Sequence, residues 1–239
     1  MAPSQKSRTT RLVSLLLLPL LLIGQATEGR EPIYARKGMV VAQELLAADV
    51  GVAVLKSGGN AVDAAVAVGF ALAATYPTAG NLGGGGFMLI RMADGRKSFV
   101  DFRETAPAKA MHDMYLDSSG NPTHDSIVGW RSVGVPGTVR GFELAHKKYG
   151  SKPWADLVKP AIDLASNGFP VSKSQIDSWR YGHAANLLSQ FPESKRIFLK
   201  DGAFYHWQEN FRQPELARTL ERIARLGARD FYEGETAHL

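Results

Sequence analysis

Apolar residues recur at helical spacing over residues 42–56, where Leu45, Leu46, Val50, Ala53 and Val54 predict a helix. Ser57-Gly58-Gly59 stops that helix, and Asn60 can cap a second one, with the Asp63 carboxylate in its first turn. Residues 61–74 are rich in alanine and valine and carry Asp63 as their only charge. Such a pattern predicts a helix buried on all faces and packed closely on a sheet. Tyr76-Pro77 ends it, because the residue before a proline avoids the helical region. The pattern then changes period. Four glycines, 83–86, run into a mostly apolar stretch, 87–92, then Ala93-Asp94-Gly95-Arg96, then a mixed stretch, 97–102. This predicts a β-hairpin closed by a two-residue primed turn at Asp94-Gly95, which needs positive φ. Glycine without a Cβ either supplies such dihedrals or lets another group approach the main chain. The hairpin exits on Arg103-Glu104-Thr105-Ala106-Pro107.

Beyond it, residues 107–126 read as a polar loop with a turn at Gly120-Asn121-Pro122. A helix is expected over 138–148, closed by Gly150, and another over 153–166, broken or kinked at Pro160 and ended by Asn167-Gly168. Ser172 opens a polar helix. Pro214 opens a further one with Leu216, Leu220, Ile223 and Leu226 on one face. No internal repeat interrupts this order, and from residue 138 onward the chain is expected to be mainly helical.

The N-terminus follows a different logic. Residues 1–11 are basic and polar, residues 12–24 are leucine-rich with Ser14 and Pro19 inside, and Gly24 and Ala26 are small. Together they predict a secretory signal peptide, residues 1–26, with the mature chain starting at Thr27. The apolar run is shorter than the ~20 residues that span a bilayer. An exported protein, periplasmic or secreted, is therefore expected, with one domain over residues 27–239. The 239-residue chain has no cysteine, which excludes disulfides, thiolate catalysis and cysteine zinc sites. Its formal charge of +5 includes Lys6, Arg8 and Arg11 of the leader; without them +2 remains, which gives no basis for a nucleic-acid partner.

Candidate chemistry is sparse. A dinucleotide fingerprint needs a strand before its glycines and a helix after them, the reverse of the order here, and no GxxxxGK[ST] is present. His112, His124, His146, His183, His206 and His238 are scattered, so no metal site is expected. No GxSxG elbow occurs, and His124-Asp125-Ser126 is a contiguous run, whereas triad members meet in space. Trp130, Trp154, Trp179 and Trp207 read as core or interface anchors. Arg103 has two readings. It can pair with Asp101 or Glu104, or serve as a buried guanidinium making two parallel hydrogen bonds to a carboxylate.

GNLGGGGFML and VDFRETAPAKA, together with GMVVAQE, GGNAVDAAVA, VGVPGTVRGFELAHKKYG, PAIDLASNGFPVS and DFYEG, resemble the large-subunit region of γ-glutamyltranspeptidases (glutathione hydrolases) from about Gly38 to Leu239. The resemblance implies an α+β fold, the four-layer αββα sandwich of the N-terminal nucleophile hydrolases, present only in part as one helical layer and part of the sheets. It implies γ-glutamyl transfer and hydrolysis of glutathione and related γ-glutamyl compounds. The acceptor is an amino acid, a peptide or water, no cofactor takes part, and the partner is a small subunit cut from the same precursor. In that family a precursor cuts itself before a threonine, whose freed α-amine, ordinarily titrating near ~7.7–8, is general base for its own hydroxyl. The matching DFRE motif assigns the substrate α-carboxylate to Arg103, with Glu104 beside it as a supporting partner. The threonine lies in a TTH-type motif. Thr9-Thr10 precedes Arg11 within the leader, and Thr123-His124 lacks the preceding threonine. The chain is thus expected to be an incomplete large subunit, inactive alone, with the nucleophile beyond residue 239. A cephalosporin-acylase-type amidohydrolase and a non-catalytic exported γ-glutamyl-binding protein are the alternatives.

Overall fold

Local stop and cap signals set the first two helices. In the computed structural model, which describes residues 32–181 and 183–239, α1 spans Leu45–Lys56 and α2 spans Ala61–Thr75. The expected leader, residues 1–26, and its cleavage point at Thr27 lie outside the described residues. Residues 32–38 have no regular secondary structure, and every helix and strand among the described residues belongs to the compact unit of residues 39–239.

Asn60 and Asp63 form a reciprocal capping box. Asn60 Oδ1 accepts from the Val62 and Asp63 amides at 2.8 and 3.0 Å, and Asp63 Oδ2 accepts from the Asn60 amide at 2.8 Å. Asp63 is fully buried, yet it also receives Ser151 Oγ at 2.6 Å, Ser151 N at 2.9 Å and Lys152 N at 3.2 Å. Burial pushes this carboxyl up, but the hydrogen bonds from Ser151, Asn60 and Lys152 outweigh it and hold the group below its ordinary 3.8. One side chain thereby ties the start of α2 to a turn some ninety residues further along.

The hairpin forms as expected: β1 (Phe87–Arg91) pairs antiparallel with β2 (Lys97–Asp101), with Leu89 opposite Phe99. Its turn differs. Gly95 has φ 88° while Asp94 does not have positive φ, and the pairs Gly95 N to Met92 O and Met92 N to Arg96 O enclose a three-residue loop. A turn ending in one left-handed glycine replaces the two-residue primed turn. Asp94 stabilises it by accepting from Arg96 N at 3.0 Å and Arg96 Nε at 2.6 Å. Alternation puts Ile90 and Val100 into the core and leaves Phe87, Leu89 and Phe99 exposed on the outer face, with the two phenylalanine rings stacked at 5.7 Å.

Helix α2 is not buried on all faces. Val66, Ala67, Phe70 and Ala74 are fully buried, but Ala61 and Ala65 are exposed and Val68, Gly69 and Leu72 half-buried, forming one apolar stripe. The sheet over it has two strands, too few to cover the helix. Cavities of about 470 and 440 Å³ open along this stripe on the side of Phe87 and Met88.

The second half is helical. The helix α3 spans Thr138–Tyr149, and α4 spans Trp154–Asn167. Of the expected break or kink at Pro160, the break does not occur: α4 continues through it, with Leu157, Val158 and Ala161 buried on either side. The helix α2 packs on α4, α4 on α8 (Pro214–Leu226), and Phe70 meets Phe142 and Trp154 edge-on at 5.2 and 5.4 Å. On α8 Leu220 and Ile223 are fully buried, whereas Leu226 is largely exposed. Between α4 and α8 lies a smaller assembly. Strand β3 (Phe169–Pro170) leads to α5 (Lys173–Arg180), α6 (His183–Gln190) and α7 (Pro192–Phe198). Then come β4 (Leu199–Lys200), β5 (Ala203–Phe204) and β6 (Asn210–Phe211), which pairs with β3. Its own core centres on Trp179, Phe211 and Phe169. Two short helices, α9 (Ala228–Glu233) and α10 (Glu235–His238), follow α8. Among the tryptophans Trp179 is a core anchor and Trp154 is half-buried, but Trp130 and Trp207 are exposed.

Candidate functional site

Arg103 is positioned by three segments that meet almost backbone to backbone. The glycine run pairs with the end of the hairpin through Gly86 N to Phe102 O at 3.2 Å and Phe102 N to Gly86 O at 3.0 Å. The stretch before α3 pairs with the residues after Arg103 through Thr105 N to Val135 O at 3.2 Å and Val135 N to Thr105 O at 2.8 Å. Gly84 O then accepts from the Gly137 and Thr138 amides at 2.8 and 3.1 Å, so it caps the start of α3 in place of a side chain. Asn81 Oδ1 accepts from Thr138 Oγ1 at 2.8 Å and fastens the same corner.

The glycines serve approach, not unusual dihedrals, since none of Gly83–Gly86 has positive φ. A Cβ on Gly85 would stand 2.5 Å from Phe102 O, and one on Gly137 would fall inside the radius of that same oxygen. The signal for this docking is present in the sequence as the glycines of VGVPG, residues 133–137. Periodicity alone makes them the lead-in to a helix and misses that Gly137 closes on Phe102 and Gly134 on Glu104 and Thr105.

Arg103 and Glu104 therefore leave a fixed backbone. The outward parity of β2 continues through Asp101 to Arg103, so its side chain shares the uncovered face of Phe87, Leu89 and Phe99 and is 59% exposed. Of the two readings of Arg103, the pair with Glu104 is present and the guanidinium is not buried. Its Nη1 lies 2.9 Å from Glu104 Oε2, and its amide donates to Asp101 Oδ1 at 3.0 Å. Glu104 Oε2 is buried beside Gly85 and receives no aligned hydrogen bond, so the contact with Arg103 is one of charge.

A groove of about 590 Å³ opens on the pair, lined by Arg103 and Glu104 themselves and by residues 105–107, 110–112, 114–115 and 132–134. The loop that walls it is held locally. Asp117 accepts from the Asn121 and Ser119 amides at 2.9 and 2.8 Å, which keep its carboxyl below the usual range. Arg131 pairs with Asp125 at 2.8 Å. Of the candidate run His124-Asp125-Ser126, Asp125 is thus committed to Arg131, and Thr123 caps the same short turn. His146 is occupied elsewhere, its Nε2 2.7 Å from Lys152 O. Among the described residues no three histidine or carboxylate side chains converge as metal ligands would.

The sequence profile described as Gamma-glutamyltranspeptidase matches residues 47–239. This chain belongs to the γ-glutamyltranspeptidase family. The glutathione hydrolase proenzyme of Pseudomonas sp. strain A14 is 49% identical over 207 residues, covering 86% of this chain and 36% of that protein. The chain thus spans about a third of that relative's length. The crystal structure of Helicobacter pylori γ-glutamyltranspeptidase aligns with a TM-score of 0.84 at 44% identity, over 87% of this chain and 60% of that one. Cephalosporin acylase from Bacillus halodurans aligns with a TM-score of 0.71 at 26% identity, over 90% of this chain and 42% of that one. The α+β architecture is accordingly that of the γ-glutamyltranspeptidase sandwich of the N-terminal nucleophile hydrolases, present in part.

Proposed function

We propose that this chain is the glutamyl-anchoring part of an enzyme that transfers or hydrolyses γ-glutamyl groups of glutathione and related compounds through a threonine acyl-enzyme. Arg103 holds the substrate α-carboxylate and Glu104 keeps the guanidinium in place. The nucleophilic threonine belongs to sequence beyond Leu239 and to a small subunit cut from the same precursor. The acceptor is water, an amino acid or a peptide. The mature protein begins at Thr27 after export to the periplasm or medium.

One observation carries this reading. The guanidinium stands on the open face of a rigid hairpin exit, and its only salt-bridge partner among the described residues is the unaligned Glu104. A carboxylate arriving there can take two N–H groups in the plane of the fork without first breaking an aligned bond. The proenzyme relatives, longer than this chain, support a second subunit. The cephalosporin acylase likeness keeps an amidohydrolase of that type as a second reading, which differs in substrate and leaves the anchor without a glutamyl carboxylate to bind.

The test has two parts. In a precursor extended to the relatives' length, Arg103→Ala should lower kcat/KM for a chromogenic γ-glutamyl anilide by roughly thirty- to a thousand-fold, the equivalent of ~2–4 kcal/mol. Arg103→Lys should recover only part, because an ammonium lacks the planar fork. Unchanged kinetics in the alanine variant would return Arg103 to an ordinary surface pair. The 239-residue chain alone should release no anilide and show no self-cleavage by mass spectrometry. Turnover that survives purification to homogeneity would place a nucleophile within it.

A further inference from the structure

One cavity is walled by charged residues alone. It measures about 310 Å³, at the small end of the range that ligand sites occupy. Its lining is Arg218, Glu221, Arg222 and Arg225 of α8 and Glu235 at the start of α10. It shares no residue with the groove at Arg103. Positions 218, 222 and 225 recur at helical spacing and lie on one face, with 221 beside them.

Arg222 is the deepest of the five, its side chain 12% exposed against 59% for Arg218 and 67% for Glu235. Its Nε donates to Thr236 Oγ1 at 2.9 Å and its Nη2 to Thr219 Oγ1 at 3.2 Å, which fixes the plane of the guanidinium. Nη1 is left over. It lies 3.7 Å from Glu235 Oε1, beyond hydrogen-bond reach. The rim groups are unengaged as well. Elsewhere in this chain, opposite charges four residues apart on a helix close up: Glu143 with Lys147, Lys159 with Asp163, Lys173 with Asp177 and Arg229 with Glu233, at 2.5 to 3.3 Å. Glu221 and Arg225 have the same spacing, with the acid first, which is the favourable order. Yet neither makes a salt bridge with the other or with any further described residue.

An anion here would meet three guanidiniums but also two carboxylates, and a cation the reverse. An apolar body would strip water from all five groups and replace none of it. A ligand carrying both signs close together satisfies both sets. We propose that this cavity binds a small zwitterion of the α-amino-acid type. Arg222 Nη1 and Arg225 take its carboxylate, and Glu221 and Glu235 take its ammonium. The proposal is independent of the role given to Arg103.

L-Alanine, propionate and ethylammonium test it, since each of the last two is alanine less one charged group. Calorimetry and ligand-observed NMR on the 239-residue chain should show L-alanine binding, with propionate and ethylammonium each about tenfold weaker, the loss expected for one charge-assisted contact. Glu221→Gln and Arg225→Gln, both at exposed positions and breaking no pair, should each remove that advantage; circular dichroism reports that the fold is kept. Arg103→Ala should leave L-alanine binding unchanged. If binding is lost there and kept in the Glu221 and Arg225 variants, the amino acid sits on Arg103 and the cavity is not its site. Propionate binding as tightly as L-alanine, or inorganic phosphate binding more tightly, would make this a plain anion site and overturn the proposal. So would the absence of L-alanine binding.

Discussion

The two cores of residues 39–239 are built from opposite materials. Around α2 the buried residues are mostly alanine and valine, with a few leucines, isoleucines and rings among them, and the packing is close enough that Gly69 and Gly141 face the rings of Phe142 and Phe102. Between residues 169 and 213 the interior is aromatic, with Trp179 packed at 5.1 Å from Phe211 and 5.3 Å from Phe198. The first core is held by closeness of backbones and has no room to grow. The second is held by large rings spanning short, poorly connected elements and has little to lose except those rings. Gln213 joins them, its amide donating to Ala165 O and its Nε2 to Ala74 O, each at 2.8 Å. The site lies with the first core, so the region that must hold an arginine still is the one made of small residues.

Substitutions should separate the two cores. Trp179→Ala should have the largest effect, ~3–5 kcal/mol of stability, because deleting a buried indole leaves a cavity that two-residue strands cannot close. A loss below ~1 kcal/mol in urea denaturation would mean the aromatic core is ornamental to stability. In the small-residue core, enlargement should be the damaging direction. Ala67→Leu should cost ~1–3 kcal/mol, and Val171→Ile in the aromatic core less, so equal tolerance would erase the distinction.

Asp63→Asn probes the small-residue core through pH. The substitution keeps the shape but cannot accept all the donors from Asn60, Ser151 and Lys152, at a cost of ~1–3 kcal/mol at pH 7. The folded carboxyl titrates below 3.8, so its contribution is fully present above the unfolded value and is lost as pH falls through the folded one. The gap between parent and variant should therefore be flat from pH 7 to 5 and shrink below about 3.8. A gap that grows on acidification would reverse the sign of this linkage.

The smallest test uses the two Asp-Gly pairs. At Asp201-Gly202 both residues have positive φ, 52° and 82°, in the two-residue hairpin of β4 and β5. Asp201→Gly should stabilise by up to about 1 kcal/mol, since glycine adopts that conformation without a Cβ penalty. Asp94→Gly should destabilise, because Asp94 lacks positive φ and holds Arg96. Thermal shifts of the same sign would refute the difference in turn geometry.

These pairs also show where the sequence is legible. Both are written Asp-Gly, yet a two-residue loop forms at one and a three-residue loop at the other, because strand pairing sets loop length and the dipeptide does not. Signals acting within four residues are readable: the capping box at Asn60 and Asp63, Ser172 as a cap, and Gly150 and Gly168 as helix ends. Signals that depend on what packs against a segment are not. Pro160 sits in an unbroken helix because its neighbours are buried, and the α2 stripe and Leu226 are uncovered because apolarity states what a surface prefers, not what lies over it. Arg103 is legible as a residue, and of its two readings the pairing with Glu104 is the one observed, on an exposed guanidinium. The family resemblance reaches further than the pattern does, since it identifies the fold from motifs whose contacts periodicity cannot see.

The capping of α3 by Gly84 O has a kinetic consequence. First-turn amides of a helix ordinarily exchange with solvent deuterium fastest, having no carbonyl behind them. Here the Gly137 and Thr138 amides have one, contributed by a loop more than fifty residues away. Their exchange rate is then set by how often the glycine run lifts off, and not by fraying of the helix. Two backbone protons thus act as a clock on the platform beneath Arg103, running slow while the anchor is seated and fast whenever it lets go.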